Sequence, residues 1–203
     1  FVSDWYDSVV GGFQQRDIAK GRLYRIAPEG ARYVPGKPAY DSPAAAASAL
    51  KNPNYCVRYK AWQVLHGMGV KAEKALLDLY QSQNQRHRAR ALWLLGKIAG
   101  RGEHYVRLAA GDANADIRVT ALRLAVQVGV SLPELIERMA GDPSAKVRRE
   151  CAVCLRLVKG PLKAQLWRKL ALAHEAGDRW SLEALGIAAA EDWDACLDAW
   201  LKE

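Results

Sequence analysis

Two cysteines of the sequence have a spacing that metal and redox sites use. Cys151 and Cys154 form a C-x-x-C motif, but they lie in the run VRRECAVCLRLV, which reads as a helix, and no second pair of ligands follows. Both occupy apolar positions of that helix, where a free cysteine behaves as a small hydrophobic residue. We therefore interpret them as structural thiols. The four cysteines of the chain are also too few for a disulfide framework.

Other groups that could act as nucleophiles, bases or metal ligands form no recognisable constellation. The sequence has no G-x-S-x-G motif, and its four histidines form no ligand pair on one helix face. Four carboxylates crowd the last helix: Glu191, Asp192, Asp194 and Asp198. Because the terminal unit of a solenoid needs a polar outer face, they predict a solvated end rather than an acid–base pair. We expect no catalytic, cofactor-binding or metal-binding residue in this chain.

An internal repeat of 30 residues indicates which elements position these side chains. One column of the repeat is arginine in four units: Arg58, Arg88, Arg118 and Arg148, with Asp178 in a fifth unit. The column three residues later is always small: Ala61, Ala91, Ala121, Cys151 and Ser181. Apolar residues that recur at intervals of three and four mark one buried face of a helix, so each unit begins with a helix.

A second helix follows in the same register and completes each unit. Its core column reads Leu76, Val106, Ile136, Leu166 and Cys196. A helical hairpin of this length cannot bury its apolar stripe alone, so the units must stack. The prediction is an all-α fold, an α-solenoid of about five hairpins. The stretch SPAAAASAL, residues 42 to 50, fits the second helix of an incomplete unit, with Ser42 as its N-cap.

The V-R-x-x-A signature of the first helices resembles that of HEAT and HEAT-like repeats in a short form. That resemblance implies that the column arginine bonds to carboxylates and carbonyls of adjacent turns. The expected carboxylate partners are Asp112, Asp116 and Asp142. We therefore interpret the arginine column as an internal ladder rather than as a row that binds a ligand.

The opening residues follow a different pattern. FVSDWY, residues 1 to 6, alternates like a β-strand, and RLYRIA, residues 22 to 27, reads as a second strand. Together they predict an antiparallel hairpin, which is marginal in water unless it packs on something. We expect two domains: residues 1–35, a hairpin with a linker, and residues 36–203, the solenoid. Exposed strand edges leave a dimer through these strands as an open alternative.

The order of these stretches resembles a known family of large bacterial multidomain proteins, often labelled membrane-bound dehydrogenase-like. The resemblance rests on FVSDWYD, GRLYRIAP, RARALWLLGKIAG, DPSAKVRRECAVCLR and DRWSLEALGIAAAEDWDACLDAWL. It implies a propeller akin to quinone-dependent sugar (sorbosone-type) dehydrogenases, then HEAT-like repeats, then a cytochrome c with a C-x-x-C-H motif. The first 30 or so residues would then close a propeller blade, in a protein of the periplasm or cell envelope. Neither the propeller body nor C-x-x-C-H is present here, so no quinone or haem chemistry transfers to this chain.

Charge limits the class of partner. The net charge is +8, but residues 175–203 alone carry 2 Lys+Arg against 8 Asp+Glu. The exposed columns of the second helices mix both signs with apolar residues, which suits a protein partner better than a phosphate backbone. The candidate partner-binding residues on that surface are Arg107, Arg138, Trp167 and Arg168. No run approaches the roughly 20 apolar residues that span a bilayer, so we expect no membrane insertion.

The leading hypothesis is a non-catalytic HEAT-like scaffold that joins a dehydrogenase-like propeller to an electron-acceptor domain, or that docks a protein partner. One alternative is a part of a sugar or alcohol oxidoreductase whose catalytic residues lie outside this chain. The other is a nucleic-acid-binding HEAT-like protein of the DNA glycosylase type, which the mixed surface charge makes the weaker reading.

Overall fold

The chain forms two compact units, Phe1–Lys37 and Pro38–Glu203. The structure, a computed structural model, describes residues 2–4, 20–31 and 36–202. The boundary between the units lies two residues after the predicted one at residue 35. The aromatic residues Phe1 and Trp5 of the predicted first strand lie outside the described residues.

The first unit contains the predicted antiparallel pair of strands, which is confirmed. Strand β1 spans Val2–Asp4 and strand β2 spans Arg22–Tyr24, and Ser3 lies opposite Leu23 at the centre of the register. Strand β2 is shorter than the alternating pattern of residues 22 to 27 suggested. The side chain of Leu23 is 71% exposed, so this face of β2 is open to solvent.

The second unit is a helical repeat, as predicted. The first helices of the successive hairpins are α2 (Tyr55–Met68), α4 (Gln85–Leu95), α6 (Ala115–Val128), α8 (Ala145–Leu155) and α10 (Arg179–Ala189). The second helices are α1 (Pro43–Ala49), α3 (Glu73–Tyr80), α5 (Gly102–Ala110), α7 (Leu132–Met139), α9 (Leu162–Leu172) and α11 (Trp193–Leu201). A 3-10 turn, Gly69–Ala72, joins α2 to α3. Successive hairpins pack on one another, with α6 against α8, α8 against α10 and α9 against α11.

Side-chain caps fix where the helices start. Ser42 caps α1 as expected, because its hydroxyl accepts a hydrogen bond from the Ala45 amide and Pro43 takes the first helical position. Asn54, Asn84 and Asn114 occupy one column of the repeat and cap α2, α4 and α6 in the same way. The repeated cap places successive first helices in equivalent positions.

The core follows the predicted columns. The small column is fully buried at Ala61, Ala91, Ala121 and Cys151, and the second-helix column is buried from Leu76 to Cys196. Small residues in that column let neighbouring helices approach closely. Cys151 and Cys154 are buried as expected, and burial raises the pKa of both thiols, to about 12 for Cys154. Their setting is that of packing residues.

The arginine ladder joins successive units. The Nε and Nη2 groups of Arg118 each donate to a carboxylate oxygen of Asp142 at 2.7 Å, and Nη1 donates to the Asp112 and Ala113 carbonyls. Arg88 donates likewise to the carboxylate of Asp112. The ladder and two of its predicted acceptors are therefore confirmed.

The third expected acceptor was wrong. Asp116 lies 3.3 Å from the Lys146 ammonium, on the exposed side of α6, and not beside a column arginine. Arg148 instead pairs with Glu175, and its Nη1 donates to the Asp142 carbonyl at 2.8 Å. The ladder carboxylates come from the loop before each first helix, because only that loop lies beside the arginine of the preceding unit.

Two opposing effects act on the ladder carboxylates. Burial would raise the pKa of Asp142, but hydrogen bonds from Arg118 and the Ser144 amide, with the nearby positive charge, lower it overall. A carboxyl group whose folded pKa lies below its unfolded value stabilises the fold above that unfolded value, 3.8 here. This stabilisation is lost as the pH falls through the folded pKa.

Replacing a ladder arginine should destabilise the fold and alter its acid response. We expect Arg118→Ala to lower the free energy of unfolding by about 1 to 3 kcal/mol, because it leaves the mostly buried acceptors of Asp142 without a partner. Chemical denaturation at neutral pH measures this loss. The same measurement below pH 4 gives the free energy of unfolding that each protein loses on acidification. We expect the variant to lose less than the native chain. An unchanged free energy of unfolding would show that the ladder does not hold the units together.

Gly96, directly after α4, lies close against Leu124 of α6. A Cβ atom at this residue would lie 2.4 Å from a methyl carbon of Leu124, which is fully buried on α6. We expect Gly96→Ala to destabilise the fold by about 1 to 3 kcal/mol through overpacking. Gly186 in α10 has open space where a methyl group would project, so Gly186→Ala should be neutral or stabilising. Thermal unfolding should show a lower midpoint for Gly96→Ala and an unchanged or higher midpoint for Gly186→Ala, and equal shifts would contradict the packing argument.

Candidate protein-interaction surfaces

Three of the four candidate residues retain some exposure on the second helices. Arg107 on α5 is exposed and pairs with Glu103 at 2.7 Å and with Glu134 at 3.3 Å. Arg138 on α7 is exposed, and Arg168 on α9 is half-buried. Hydrogen bonds that Arg107 donates to Glu103 and Glu134 raise the pKa of Arg107. Part of its charge is thus already balanced by its neighbours.

The fourth candidate is buried, so the prediction of an exposed Trp167 was wrong. Its side chain is 6% exposed, and its indole N–H donates to the Leu185 carbonyl at 2.9 Å. The ring also packs edge-on against Trp193, with 6.2 Å between ring centroids. Trp167 therefore ties α9 to the last hairpin and cannot anchor a partner on the second-helix surface.

The buried face of α9 is shifted by one residue relative to the repeat of 30. The buried residues of α9 include Leu166, Trp167 and Leu170, and α7 buries Leu135, Ile136 and Met139, each 31 residues earlier. Trp167 therefore takes the place of a core residue. Lys169 lies outside the core, where its Nζ donates to the Glu137 carbonyl at 2.9 Å.

The C-terminal end of the second unit also departs from expectation. A polar outer face was predicted there from four carboxylates. Two of these carboxylates form ion pairs, Asp192 with the buried Lys163 and Glu191 with Lys159. The same end exposes large apolar side chains: Trp180, Leu182, Trp193, Trp200 and Leu201. The last unit is therefore only partly capped by polar groups.

An aromatic cleft lies between the first two first helices, α2 and α4. This concavity, which we call the aromatic cleft, has a volume of about 350 Å³. Its lining residues are Leu50, Tyr55, Arg58, Tyr59, Trp62, Arg90 and Trp93. Tyr55 and Tyr59 are 68% and 51% exposed, and their rings stack with 6.2 Å between centroids. Trp62 stacks on His66 at 4.8 Å. Four aromatic rings thus face one concavity that is open to solvent.

Two arginines of the aromatic cleft are held by backbone carbonyls. The Nη1 group of Arg58 donates to the Asn52 carbonyl at 3.0 Å, and that of Arg90 donates to the Leu50 carbonyl at 2.6 Å. Burial lowers the pKa of Arg90, and the charges of Arg58 and Arg86 lower it further. Burial and the charge of Arg90 likewise lower the pKa of His87. The cleft therefore has a positive rim around apolar walls.

The aromatic cleft was not predicted from the sequence. The signal was a local exception to the repeat. Tyr55 and Tyr59 are one helical turn apart on α2. The equivalent pairs in the next two units are Gln85 with Ala89, and Ala115 with Val119. Only the first complete unit puts two aromatic rings on that face.

A second, polar cleft of about 660 Å³ lies near the turns after α4 and α6. Glu103, Arg107 and Glu134 line it, and Arg107 forms an ion pair with each of the two glutamates. Within the described ranges, no group of three or more His, Cys, Asp or Glu could hold a metal ion. In the same ranges, every helix is too short or too polar to cross a bilayer.

Comparisons with known proteins support the fold. No protein-family model matches the chain, and no curated protein matches it. The X-ray structure of YibA from Escherichia coli is similar, with a TM-score of 0.53 and 20% sequence identity over 84% of this chain and 70% of that one. At that identity the likeness establishes a shared helical-repeat architecture and says nothing of activity.

Ion pairs of the ladder arginines limit the affinity of the chain for nucleic acid. The carboxylates paired with Arg88, Arg118 and Arg148 already neutralise much of the positive charge that phosphates would contact. We expect duplex DNA to bind no better than non-specifically, at about 10⁻⁴ to 10⁻⁶ M at physiological salt. Fluorescence anisotropy with a labelled duplex measures this affinity. Submicromolar binding at that salt, or excision of a damaged base, would favour the DNA glycosylase alternative.

Proposed function

We propose that this chain is a non-catalytic helical-repeat scaffold that binds a protein partner through the aromatic cleft. The observation that carries the proposal is the open cluster of Tyr55, Tyr59, Trp62 and Trp93 beside Arg58 and Arg90. Tyrosine, tryptophan and arginine are the residues most enriched at the energetic centres of protein interfaces. Large exposed aromatic groups are costly to leave in water, so a partner that covers them gains binding energy.

The cleft is also well ordered before any partner arrives. The tyrosine rings stack on each other, Trp62 stacks on His66, and both arginines are anchored to carbonyls. A partner therefore needs to immobilise few side chains on this surface, and the entropy cost of binding falls. The cleft lies on neighbouring helices of a repeat, which hold its walls at a fixed separation.

The resemblance to the dehydrogenase-like multidomain proteins suggests a more specific form of this proposal. Neighbouring domains of the same polypeptide, a propeller and an electron acceptor, would be the first partners to consider. Catalytic residues of any sugar or alcohol oxidation would then lie outside this chain, and the compartment would be the periplasm or cell envelope. The antiparallel strands β1 and β2 agree with the blade-closing strands that the resemblance implies.

Site-specific photocrosslinking in the native polypeptide tests the proposal. A photoreactive phenylalanine analogue at Tyr59 should form a crosslink to a discrete protein segment, identified by mass spectrometry, in cells of the native host. The same analogue at Gln127, which is exposed on α6 outside the aromatic cleft, is the matched control. Equal crosslinking at both residues, or none at residue 59, would contradict a docking role for the cleft.

A further inference from the structure

Three of the four ladder arginines pair with a carboxylate of the following unit, and the arginine of the first complete unit does not. Arg148 pairs with Glu175, 27 residues further along the chain. Arg88 pairs with Asp112 and Arg118 pairs with Asp142, each 24 residues further along the chain. The same step from Arg58 leads to Ser82, which has no carboxylate. Ser82 otherwise behaves like the ladder aspartates. Its Oγ accepts from the Asn84 amide at 3.2 Å, as Oδ1 of Asp112 accepts from the Asn114 amide at 2.8 Å.

Arg58 therefore has unused donors. Its Nη1 group donates to the Asn52 and Pro53 carbonyls, as Nη1 of Arg118 does to the equivalent carbonyls of its own loop. In Arg118 the Nε and Nη2 groups then take up a carboxylate. For Arg58, no carboxylate within the described ranges forms an ion pair, and its guanidinium lies 5.7 Å from the centre of the Tyr55 ring. This places a fixed, half-satisfied guanidinium in the wall of the aromatic cleft.

The surroundings favour a negatively charged ligand. No acidic residue is among those that line the aromatic cleft, whereas Arg58 and Arg90 both are. The pKa of Arg90 is lowered by burial and by the charges of Arg58 and Arg86, so these cations repel one another without compensation. A carboxylate beside Arg58 would relieve that repulsion and form charge-assisted hydrogen bonds. The tyrosine and tryptophan rings next to it would cover an apolar side chain.

We propose that the aromatic cleft binds an acidic peptide segment of a protein partner. One aspartate or glutamate of that segment accepts hydrogen bonds from the Nε and Nη2 groups of Arg58, as Asp142 does from those of Arg118. An adjacent apolar side chain fills the space between the tyrosine pair and Trp62 and Trp93. This inference rests on the proposed function and names the chemistry of its ligand.

Selection from a random peptide library displayed on phage tests the preference, with the full chain as bait. We expect the enriched peptides to share an aspartate or glutamate next to an aromatic or large aliphatic residue. A synthetic peptide of the enriched sequence is then the probe for calorimetry, and replacing its acidic residue by the amide should weaken binding about ten- to a hundredfold. Enrichment of basic or of proline-rich neutral peptides, or no enrichment, would overturn the inference.

Ser82→Asp separates the role of Arg58 from that of the apolar walls. The new carboxylate would complete the ladder internally and compete with the peptide, so we expect affinity about tenfold weaker or more, with thermal stability unchanged or higher. Ser82→Asn has nearly the same shape without charge and should bind the peptide like the native chain. Tyr59→Ala should weaken binding of both the acidic peptide and its amide version, because it removes part of the apolar wall of the aromatic cleft and leaves the charge of Arg58 in place.

The outcomes keep the two proposals distinct. If the crosslink at residue 59 forms but the probe binds Ser82→Asp and Ser82→Asn equally well, the cleft docks a partner and the carboxylate inference is wrong. If no crosslink forms in the native polypeptide, the docking role itself fails, whatever the library selects. Binding of a DNA duplex in competition with the peptide would identify the cleft as a general anion site and would also overturn the inference.

Discussion

The pairing of Arg88, Arg118 and Arg148 with a carboxylate from the next unit is the constraint on which the helical repeat depends. Arg118 and Asp142 are mostly shielded from water, so neither charge could remain there alone. Asp142 also accepts from the Ser144 amide, which shapes the loop before α8. One carboxylate thus fixes both the start of a helix and its distance from the preceding unit. A buried ion pair of this kind determines register more than it adds net stability.

The repeat could be predicted in detail because stacking imposes the same demand on every unit. Small residues, ladder arginines and cap positions recur, so the sequence alone located the hairpins, the Ser42 cap and two ladder acceptors. Departures from the repeat were harder to predict. Trp167 faces inward because the buried face of α9 is shifted by one residue relative to the repeat, which the regular columns of the other units did not indicate.

The candidate site was less predictable than the fold. The repeat columns identify the residues that all units share. The aromatic cleft instead depends on residues that differ in the first complete unit, namely Tyr55, Tyr59 and Ser82. A missing carboxylate is inconspicuous in a sequence, because serine also caps loops well and accepts the same backbone hydrogen bond. Its effect becomes visible only when Arg58 is compared with Arg88 and Arg118 in three dimensions. The side of a helix on which a tryptophan lies likewise depends on the crossing of neighbouring helices, which periodicity does not specify.

The distribution of thiols has a practical consequence. Cys151, Cys154 and Cys196 are buried, whereas Cys56 is exposed on the first turn of α2, directly after Tyr55. A polar alkylating reagent therefore has access to one sulfur atom in the native chain and to four once the helices separate. Native and unfolded molecules would differ in mass after labelling, by the number of adducts each carries. The same exposed sulfur offers a point of attachment for a fluorophore at the edge of the aromatic cleft, without any engineered substitution.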